Sequence, residues 1–231
     1  MRKEAREVIL ERIREARSVP ERSPAAGGRA GPSTSAPYRT HGDRSRRAVL
    51  DLLVDRISDY RASVLRTTPE GFPGEIRAAL ARMGSRRLVI PSDLPREWLG
   101  ASPVQDLEIL RDPVDPGGGR LSNGQLAACY GVLTGCALAI AETGTLVLDG
   151  GPGQGRRALS LLPDHHLCVV FQDQVVETVP QALAAMESLS GFRKRPFTLI
   201  SGPSATSDIE LIRVEGVHGP RNLEVLLVEE P

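Results

Sequence analysis

Short apolar runs rich in branched side chains alternate along this chain with stretches of helical periodicity. The runs lie at residues 87–90, 130–133, 145–148, 167–171, 197–201 and 223–228. Helical spacing covers residues 75–83 and 178–189. Strands buried on both faces are continuously apolar, and strands that alternate with helices favour a parallel sheet. The pattern predicts an α/β fold, with a mostly parallel sheet and helices on both of its faces.

The first third of the chain predicts two helices joined by a linker. Residues 5–16 carry one narrow apolar stripe at helical spacing, and residues 45–66 repeat that spacing. Between them, Pro, Gly and small polar residues leave almost nothing to bury, which is typical of a mobile segment. We therefore expect an amphipathic helix over residues 1–17, a flexible linker over 18–46 and the α/β domain over 47–231.

Charge balance argues against several classes of protein. The chain has 231 residues, in which 29 basic residues balance 29 acidic ones. This balance argues against general nucleic-acid binding and against anchoring to an acidic membrane. No apolar run approaches the roughly 20 residues that span a bilayer, and the N-terminus lacks the apolar stretch of a signal peptide. We expect a cytoplasmic protein.

The cysteines are few and scattered. Cys129, Cys136 and Cys168 form no closely spaced pair. Their odd number disfavours a disulfide framework, and three thiolates cannot build a four-thiolate iron–sulfur or zinc site. We predict that all three are small, buried hydrophobic side chains.

The first segment with potential for chemistry is Thr134–Thr145, predicted as a strand end, a short apolar helix and a turn. Glu142 falls where that helix would end, and a carboxylate is unfavourable at the negative end of a helix dipole. A residue that breaks a local rule is a candidate for function. The alternative is a purely structural stop at Gly144, with hydroxyl hydrogen bonds on either side.

The second segment, Asp149–Arg157, is a glycine-rich loop. The backbone N–H groups of such loops can bind phosphate, with Arg156 or Arg157 as a charged clamp. Its glycine spacing matches neither the dinucleotide-binding fingerprint nor the P-loop. A mobile loop is therefore the favoured interpretation.

The third segment, Ser201–Glu210, follows a predicted strand. Ligands bind at strand carboxyl ends in open α/β sheets, and here small hydroxyl groups, Asp208 and Glu210 come near His218 in the sequence. His218 either lines a pocket or lies in an exposed turn. A hydrolase triad of Ser204, Asp208 and His218 is a minor alternative, because the sharp GxSxG turn is absent.

Two further histidines, His165 and His166, are adjacent in the sequence. Neighbouring residues cannot easily both face one metal ion. We expect no zinc or iron site there.

These segments resemble the lactate utilization protein C family (LutC/YkgG), whose shared unit is the LUD domain. The resemblance covers essentially the whole chain and rests on the combination and order of its motifs. The matching motifs are Ala139-Ile-Ala-Glu-Thr-Gly-Thr145, Leu162-Pro-Asp-His-His166, Ser201-Gly-Pro-Ser-Ala-Thr-Ser-Asp-Ile-Glu210 and Gly216-Val-His-Gly-Pro-Arg221.

The resemblance implies a Rossmann-like α/β fold, related to the NagB/RpiA/CoA-transferase group. It also implies a part in the bacterial oxidation of L-lactate to pyruvate, together with two iron–sulfur partner proteins that carry the redox centres. This chain itself is then expected to hold no cofactor and no metal.

The same resemblance carries functional residues over to this sequence. Glu142, Asp208 and His218 are the candidates for acid or base. The candidates for ligand binding are Thr143, Gly144, Thr145, Gly202, Pro203, Ser204, Thr206, Glu210 and Gly219. We expect them to line one cleft above the strand carboxyl ends, which would bind a small carboxylate or phosphate.

Whether the chain is itself an enzyme stays open at this point. One alternative is a stand-alone small-molecule enzyme, namely a transferase, an isomerase or a nucleotide-dependent ligase. Another is a regulator or scaffold whose cleft has lost its activity.

Overall fold

The computed structural model describes residues 5–18, 39–84, 86–100, 106–114, 117–188, 196–207, 213–215 and 219–230. The contacts of the Cα atoms divide the chain into two units, Met1–Tyr38 and Arg39–Pro231. The first unit contains helix α1 (Ala5–Ser18), where the sequence predicted a helix over residues 5–16. Most of the predicted linker lies outside the described residues, so the domain boundaries at 17/18 and 46/47 stay predictions.

The second unit contains helices and strands in alternation. In chain order they are α2 (Arg46–Asp59), β1 (Ser63–Thr67), α3 (Phe72–Met83), β2 (Arg87–Pro91), β3 (Glu108–Asp112), α4 (Asn123–Ala127), β4 (Gly131–Gly135), β5 (Leu138–Ile140), β6 (Thr145–Leu148), β7 (His165–Phe171), β8 (Val175–Val176), α5 (Val179–Ser188), β9 (Thr198–Ile200), β10 (Ala205–Ser207), β11 (Arg213–Glu215) and β12 (Asn222–Val228).

The main sheet has six strands in the order β1-β12-β7-β4-β2-β3, and every pairing in it is parallel. Most side chains of its central strands are buried and apolar, as expected for strands covered on both faces, although His166 and Glu224 are buried polar exceptions. The predicted α/β class, with a mostly parallel sheet between helices, is thereby confirmed.

The two faces of the main sheet have different neighbours, because successive side chains of a strand point to opposite faces. On one face, Leu167 and Val169 of β7 pack with α3. On the other face, Cys168 and Val170 pack with α2 and with strands of a second sheet. This second sheet has the order β8-β5-β6-β9, and its β5-β6 and β6-β9 pairings are antiparallel. Odd-numbered side chains of β7 therefore face α3, and even-numbered ones face α2 and the second sheet.

Two local predictions are wrong. The helix predicted over residues 45–66 ends at Asp59, where Tyr60 caps it and Arg61 takes a φ of 63°. The chain then enters β1, which pairs with β12. The short apolar helix predicted before Glu142 is strand β5, whose side chains are buried. A short apolar run fits a buried strand as well as a helix, and here pairing with β6 and β8 decides the outcome.

The three cysteines are free and buried, as predicted. A hydrogen bond to Cys168 and burial both raise the pKa of the Cys136 thiol well above its usual range. Burial raises the pKa of the Cys129 thiol as well. The protonated, enclosed thiols of Cys129 and Cys136 act as small apolar side chains in the packed interior.

Candidate functional site

A cavity of about 310 Å3 opens where the two sheets of the second unit meet. The loop that follows β9, residues 201–205, forms one wall, and Gly219 and Pro220 adjoin it. Arg157 and Ser160 of a 3-10 turn form a second wall, and His166 of β7 borders the cavity from the main sheet. A cavity of this size lies at the small end of the range for ligand pockets.

The cavity occupies a different end of each sheet. Ser201 directly follows the carboxyl end of β9 in the second sheet, as the sequence predicted for this segment. His166 and Leu223, by contrast, lie at the amino ends of β7 and β12 in the main sheet. The stacking of the sheets thus brings the carboxyl end of β9 over the amino ends of two parallel strands.

The loop after β9 is held in place by close backbone packing. Gly202 has a φ of 86°, and a Cβ atom there would lie 2.6 Å from the Cβ of Tyr60. Glycine is therefore required at this position. The N–H of Ser204 donates to the carbonyl of Pro220 at 2.8 Å, so the described ends of the last two sequence motifs are in contact.

The motif at residues 139–145 is linked to the cavity wall through its hydroxyl groups. Thr143 Oγ1 and Thr145 Oγ1 lie 2.7 Å apart, and Thr145 Oγ1 lies 2.8 Å from Ser201 Oγ. Gly144 between them has a φ of 58°, and a Cβ atom there would lie 2.8 Å from the backbone of Arg56. This turn is therefore fixed against the end of α2 and linked to the loop that borders the cavity.

Glu142 is engaged elsewhere. Its carboxylate hydrogen-bonds to Arg39, and Arg44 Nη1 lies 3.7 Å from it. Arg44 also pairs at 2.5 Å with Glu177, whose side chain is buried beside Glu142. Two carboxylates and two guanidinium groups therefore form one cluster, and Glu142 does not border the described wall of the cavity.

The remaining predicted site residues divide into two groups. Asp208, Glu210 and His218 lie outside the described residues. Thr206 belongs to β10, which pairs with β11 in an antiparallel hairpin directly after the cavity loop. The predicted single cleft therefore has only part of its wall in the described chain, namely Gly202, Pro203, Ser204 and Gly219.

His166 is a cavity residue that the sequence analysis did not place in the site. Its side chain is fully buried, and Nε2 lies 2.7 Å from Thr134 Oγ1. Its Nδ1 atom is buried without a hydrogen-bond partner in the described structure. The sequence contained one signal for this position. His166, Cys168 and Val170 are spaced two residues apart, so their side chains lie on the same face of a strand.

His165 lies on the opposite face of β7. Its Nε2 is 3.5 Å from Glu224 Oε2, and Arg82 of α3 donates to the other oxygen of that carboxylate at 2.8 Å. The contact with His165, followed by the hydrogen bond with Arg82, lowers the pKa of Glu224, while burial opposes the shift. No cluster of three or more potential metal ligands occurs among the described residues.

The glycine-rich segment is a loop closed by its own hydrogen bonds, and it borders a second cavity together with Arg156 and Arg157. Its own polar groups bond to one another, since the N–H of Gly151 donates to Asp149 Oδ1 and the N–H of Asp149 donates to Gln154 Oε1. Arg156, predicted as a possible clamp, pairs with buried Asp112. Arg157 borders both the main cavity and a neighbouring one of about 240 Å3.

Comparison with known proteins identifies the family of this chain. The sequence profile of the LUD domain matches residues 2–228. The chain belongs to the LUD domain family. Within the helices that the structure describes, none has the length and apolar character needed to cross a membrane.

Two relatives of this LUD domain protein match it along most of their length. A protein named Lactate utilization protein C from Deinococcus radiodurans is 46% identical over 203 residues, which cover 88% of this chain and 89% of that protein. One of the same name from Bacillus pumilus is 30% identical and covers 97% of both chains. The crystal structure of a DUF162 family protein from Deinococcus radiodurans superposes with a TM-score of 0.66 at 41% identity, over 80% of this chain and 99% of that one.

Proposed function

We propose that this LUD domain protein takes part in lactate utilization, as a component without its own redox centre in the oxidation of L-lactate to pyruvate. The observation that carries the proposal is the 46% identity, over nearly the full length of both chains, to a protein named Lactate utilization protein C. Two proteins this similar over such a length share a fold, and the proposal extends that similarity to their role.

The proposal assigns electron transfer to iron–sulfur partner proteins. A four-thiolate cluster takes four cysteines, and this chain has three. All three are buried in the interior. The role left to this chain is to bind the partners, a ligand, or both.

The ligand of the proposal is a small carboxylate or phosphate, bound in the cavity between the sheets. Arg157 supplies a positive charge at its wall, and Ser160 and Ser201 supply hydroxyl groups. Asp208 and His218 are the proposed acid and base. In the chain, Asp208 directly follows β10, which continues from the cavity loop, and His218 directly precedes Gly219 in the cavity wall. Glu142 acts in this scheme only if it leaves its arginine partners.

Genetic replacement tests the proposal. The gene for the 46% identical relative is deleted in Deinococcus radiodurans, and this chain is supplied in its place. We expect growth on L-lactate to fail in the deletion strain and to return with this chain, while growth on glucose stays unchanged. The proposal is wrong if this chain is expressed and folded but leaves growth on lactate impaired.

Reconstitution tests the partner assignment. Purified iron–sulfur proteins from the same system are assayed for lactate oxidation with an artificial electron acceptor, with and without this chain. We expect the rate to depend on this chain. Equal rates in both assays would contradict the subunit role.

The stand-alone enzyme remains the second candidate, and the cavity with Arg157 and buried His166 is the observation that favours it. A thermal-shift panel with L-lactate, pyruvate, ATP and coenzyme A discriminates the two. A ligand at 100 times its dissociation constant stabilises a protein by about 2.7 kcal/mol. Stabilisation by ATP or coenzyme A, with turnover in the absence of partners, would favour the enzyme.

A further inference from the structure

His166 carries a polar atom that the described protein leaves unsatisfied. The imidazole is fully buried, and Thr134 Oγ1 holds Nε2 at 2.7 Å. Nδ1 is equally enclosed but has no hydrogen-bond partner in the described part of the chain. His165 Nε2 also lacks a hydrogen bond there, but it has the Glu224 carboxylate 3.5 Å away. An unpaired buried donor or acceptor destabilises a fold, and native proteins leave few such atoms without a partner.

The position of the imidazole indicates where the hydrogen-bond partner of Nδ1 comes from. His166 borders the cavity together with Arg157, Ser160 and the loop at 201–205. An apolar residue would fill the same space in β7 without the penalty of an unpaired nitrogen. We infer that His166 is a ligand-binding residue, whose Nδ1 hydrogen-bonds to an anionic ligand in this cavity. The inference rests on the proposed function only in requiring that the cavity binds a ligand.

The charge of the cavity wall sets the ligand class. Among the described residues that border the cavity, Arg157 carries a charge and none is a carboxylate. A guanidinium group pairs well with both carboxylates and phosphates. The ligand class is therefore a small carboxylate or phosphate, and the probes below separate the two.

Thr134 is the positioning residue in this arrangement. It lies on β4, which pairs with β7 with Val132 opposite His166 and Thr134 opposite Cys168. The Thr134 hydroxyl has one proton, which it can donate to His166 Nε2 at 2.7 Å or to Cys168 Sγ at 4.0 Å. When it donates to the nearer Nε2, the proton of a neutral imidazole resides on Nδ1. The ring then offers a donor to an anion without needing to be protonated first.

His165 provides a matched control in the next position. It is adjacent in the sequence, lies on the opposite face of β7 and contacts Glu224 rather than the cavity. Substitution of His165 therefore reports on the removal of an imidazole from β7 without a change in the cavity wall.

Nitrogen-15 NMR of the histidine side chains in the full-length protein tests the inference. The ring signals are assigned with His165→Gln and His166→Gln, and L-lactate, pyruvate, inorganic phosphate and ATP are added separately. We expect at least one probe to shift the Nδ1 signal of His166 while the His165 signals stay in place. Response to lactate or pyruvate identifies a carboxylate ligand, and response to phosphate or ATP identifies a phosphate. The inference fails if no probe moves the His166 signal.

A double substitution separates binding from stability. Thr134→Val with His166→Leu removes both hydrogen-bonding partners together and leaves apolar groups in their place. We expect this variant to fold with a Tm close to that of the wild type and to bind the responding probe at least tenfold more weakly. His165→Gln should keep the Kd for that probe.

Two further results decide against the inference or in its favour. Unchanged affinity in the double variant overturns it, and if that variant does not fold, His166→Gln is measured in its place with the same criterion. Thr134→Val alone should change the ratio of His166 tautomers in the NMR spectrum, an effect that lost packing would not produce. Binding through His166 without rescue of growth on lactate would support this inference and contradict the proposed function.

Discussion

The guanidinium of Arg156 lies against the carboxylate of Asp112, with Nε 2.8 Å from Oδ2 and Nη2 3.2 Å from Oδ1. Asp112 is almost completely buried at the end of β3. Arg156 Nη2 also donates to the carbonyl of Leu121 at 2.6 Å. The pair therefore ties the glycine-rich loop to the edge of the main sheet.

This relationship predicts different roles for two neighbouring arginines. Arg156→Ala leaves the carboxylate of Asp112 buried without its cation, so we expect the free energy of unfolding to fall by about 3–5 kcal/mol. Arg157→Ala removes an exposed side chain at the cavity wall, and we expect a change of less than about 0.5 kcal/mol. Urea denaturation of both variants measures the difference. Equal losses of stability would contradict the structural role of Arg156.

The turn between β5 and β6 predicts a large effect of one methyl group. Gly144 has a φ of 58°, and an added Cβ atom would lie 2.8–2.9 Å from backbone atoms of Arg56 and Ile57. Both the left-handed conformation and the contact are unfavourable, so we expect Gly144→Ala to destabilise the protein by more than about 2 kcal/mol.

Gly74 is the control for this substitution. It lies inside α3, and an added Cβ atom there would have nothing within 4 Å. We expect Gly74→Ala to leave stability unchanged or to raise it by up to about 1 kcal/mol, because alanine favours the helix. Thermal unfolding compares the two variants, and a Gly144→Ala protein as stable as Gly74→Ala would argue against the packing at Arg56.

The central strands could be predicted from the sequence, and the edges of the sheet could not. β2, β4, β7 and β12 are rich in apolar residues because both of their faces are covered, although β7 also carries His166 and β12 carries Glu224. β1 and β3 lie at the two edges and carry exposed positions, so their sequences lack that signal.

The site was predictable where the motifs adjoin one another and not where the sheets stack. The segments at 201–204 and 219–220 were expected to come together, and Ser204 and Pro220 do. The approach of His166 and Ser160 to that loop depends on how the second sheet packs on the first. No periodicity in a single segment encodes this packing, because it arises from elements far apart in the chain.

The contacts of Glu224 predict how stability depends on pH. The pKa of this carboxyl is lowered below its ordinary value of 4.5, first by the contact with His165 and then by Arg82. A lowered folded-state pKa stabilises the protein above the unfolded-state pKa, and this stability is lost as the pH falls through the folded-state value. We expect the wild type to lose stability as the pH falls below 4.5, and Glu224→Gln to lose less in the same range.

Urea denaturation across this pH range checks the prediction, with Glu108→Gln as the control. Glu108 pairs with Arg87 on the surface, where both side chains are about half exposed. Such pairs contribute less than about 1 kcal/mol. If Glu224→Gln has the same pH profile as the wild type, the contacts of Glu224 do not contribute to acid sensitivity.

The hydrogen bond between Thr145 and Ser201 predicts a link between the first motif and the cavity. Thr145 is 5% exposed at the start of β6, and its hydroxyl lies 2.8 Å from that of Ser201 in the cavity wall. Thr145→Val preserves the shape of the side chain but leaves the hydroxyls of Thr143 and Ser201 without this partner. We expect a loss of about 1 kcal/mol in stability and weaker binding of the probe that responds at the cavity.

Thr145→Ser separates the hydrogen bond from the packing of the methyl group. It keeps the hydroxyl that bonds to Ser201 and removes the methyl group that packs beside it. We expect Thr145→Ser to retain more probe affinity than Thr145→Val, because the loop at 201–205 keeps its anchor to β6. Calorimetric titration of both variants measures the Kd, and thermal unfolding measures stability. If the serine variant loses as much affinity as the valine variant, packing rather than the hydroxyl contact holds the cavity wall in place.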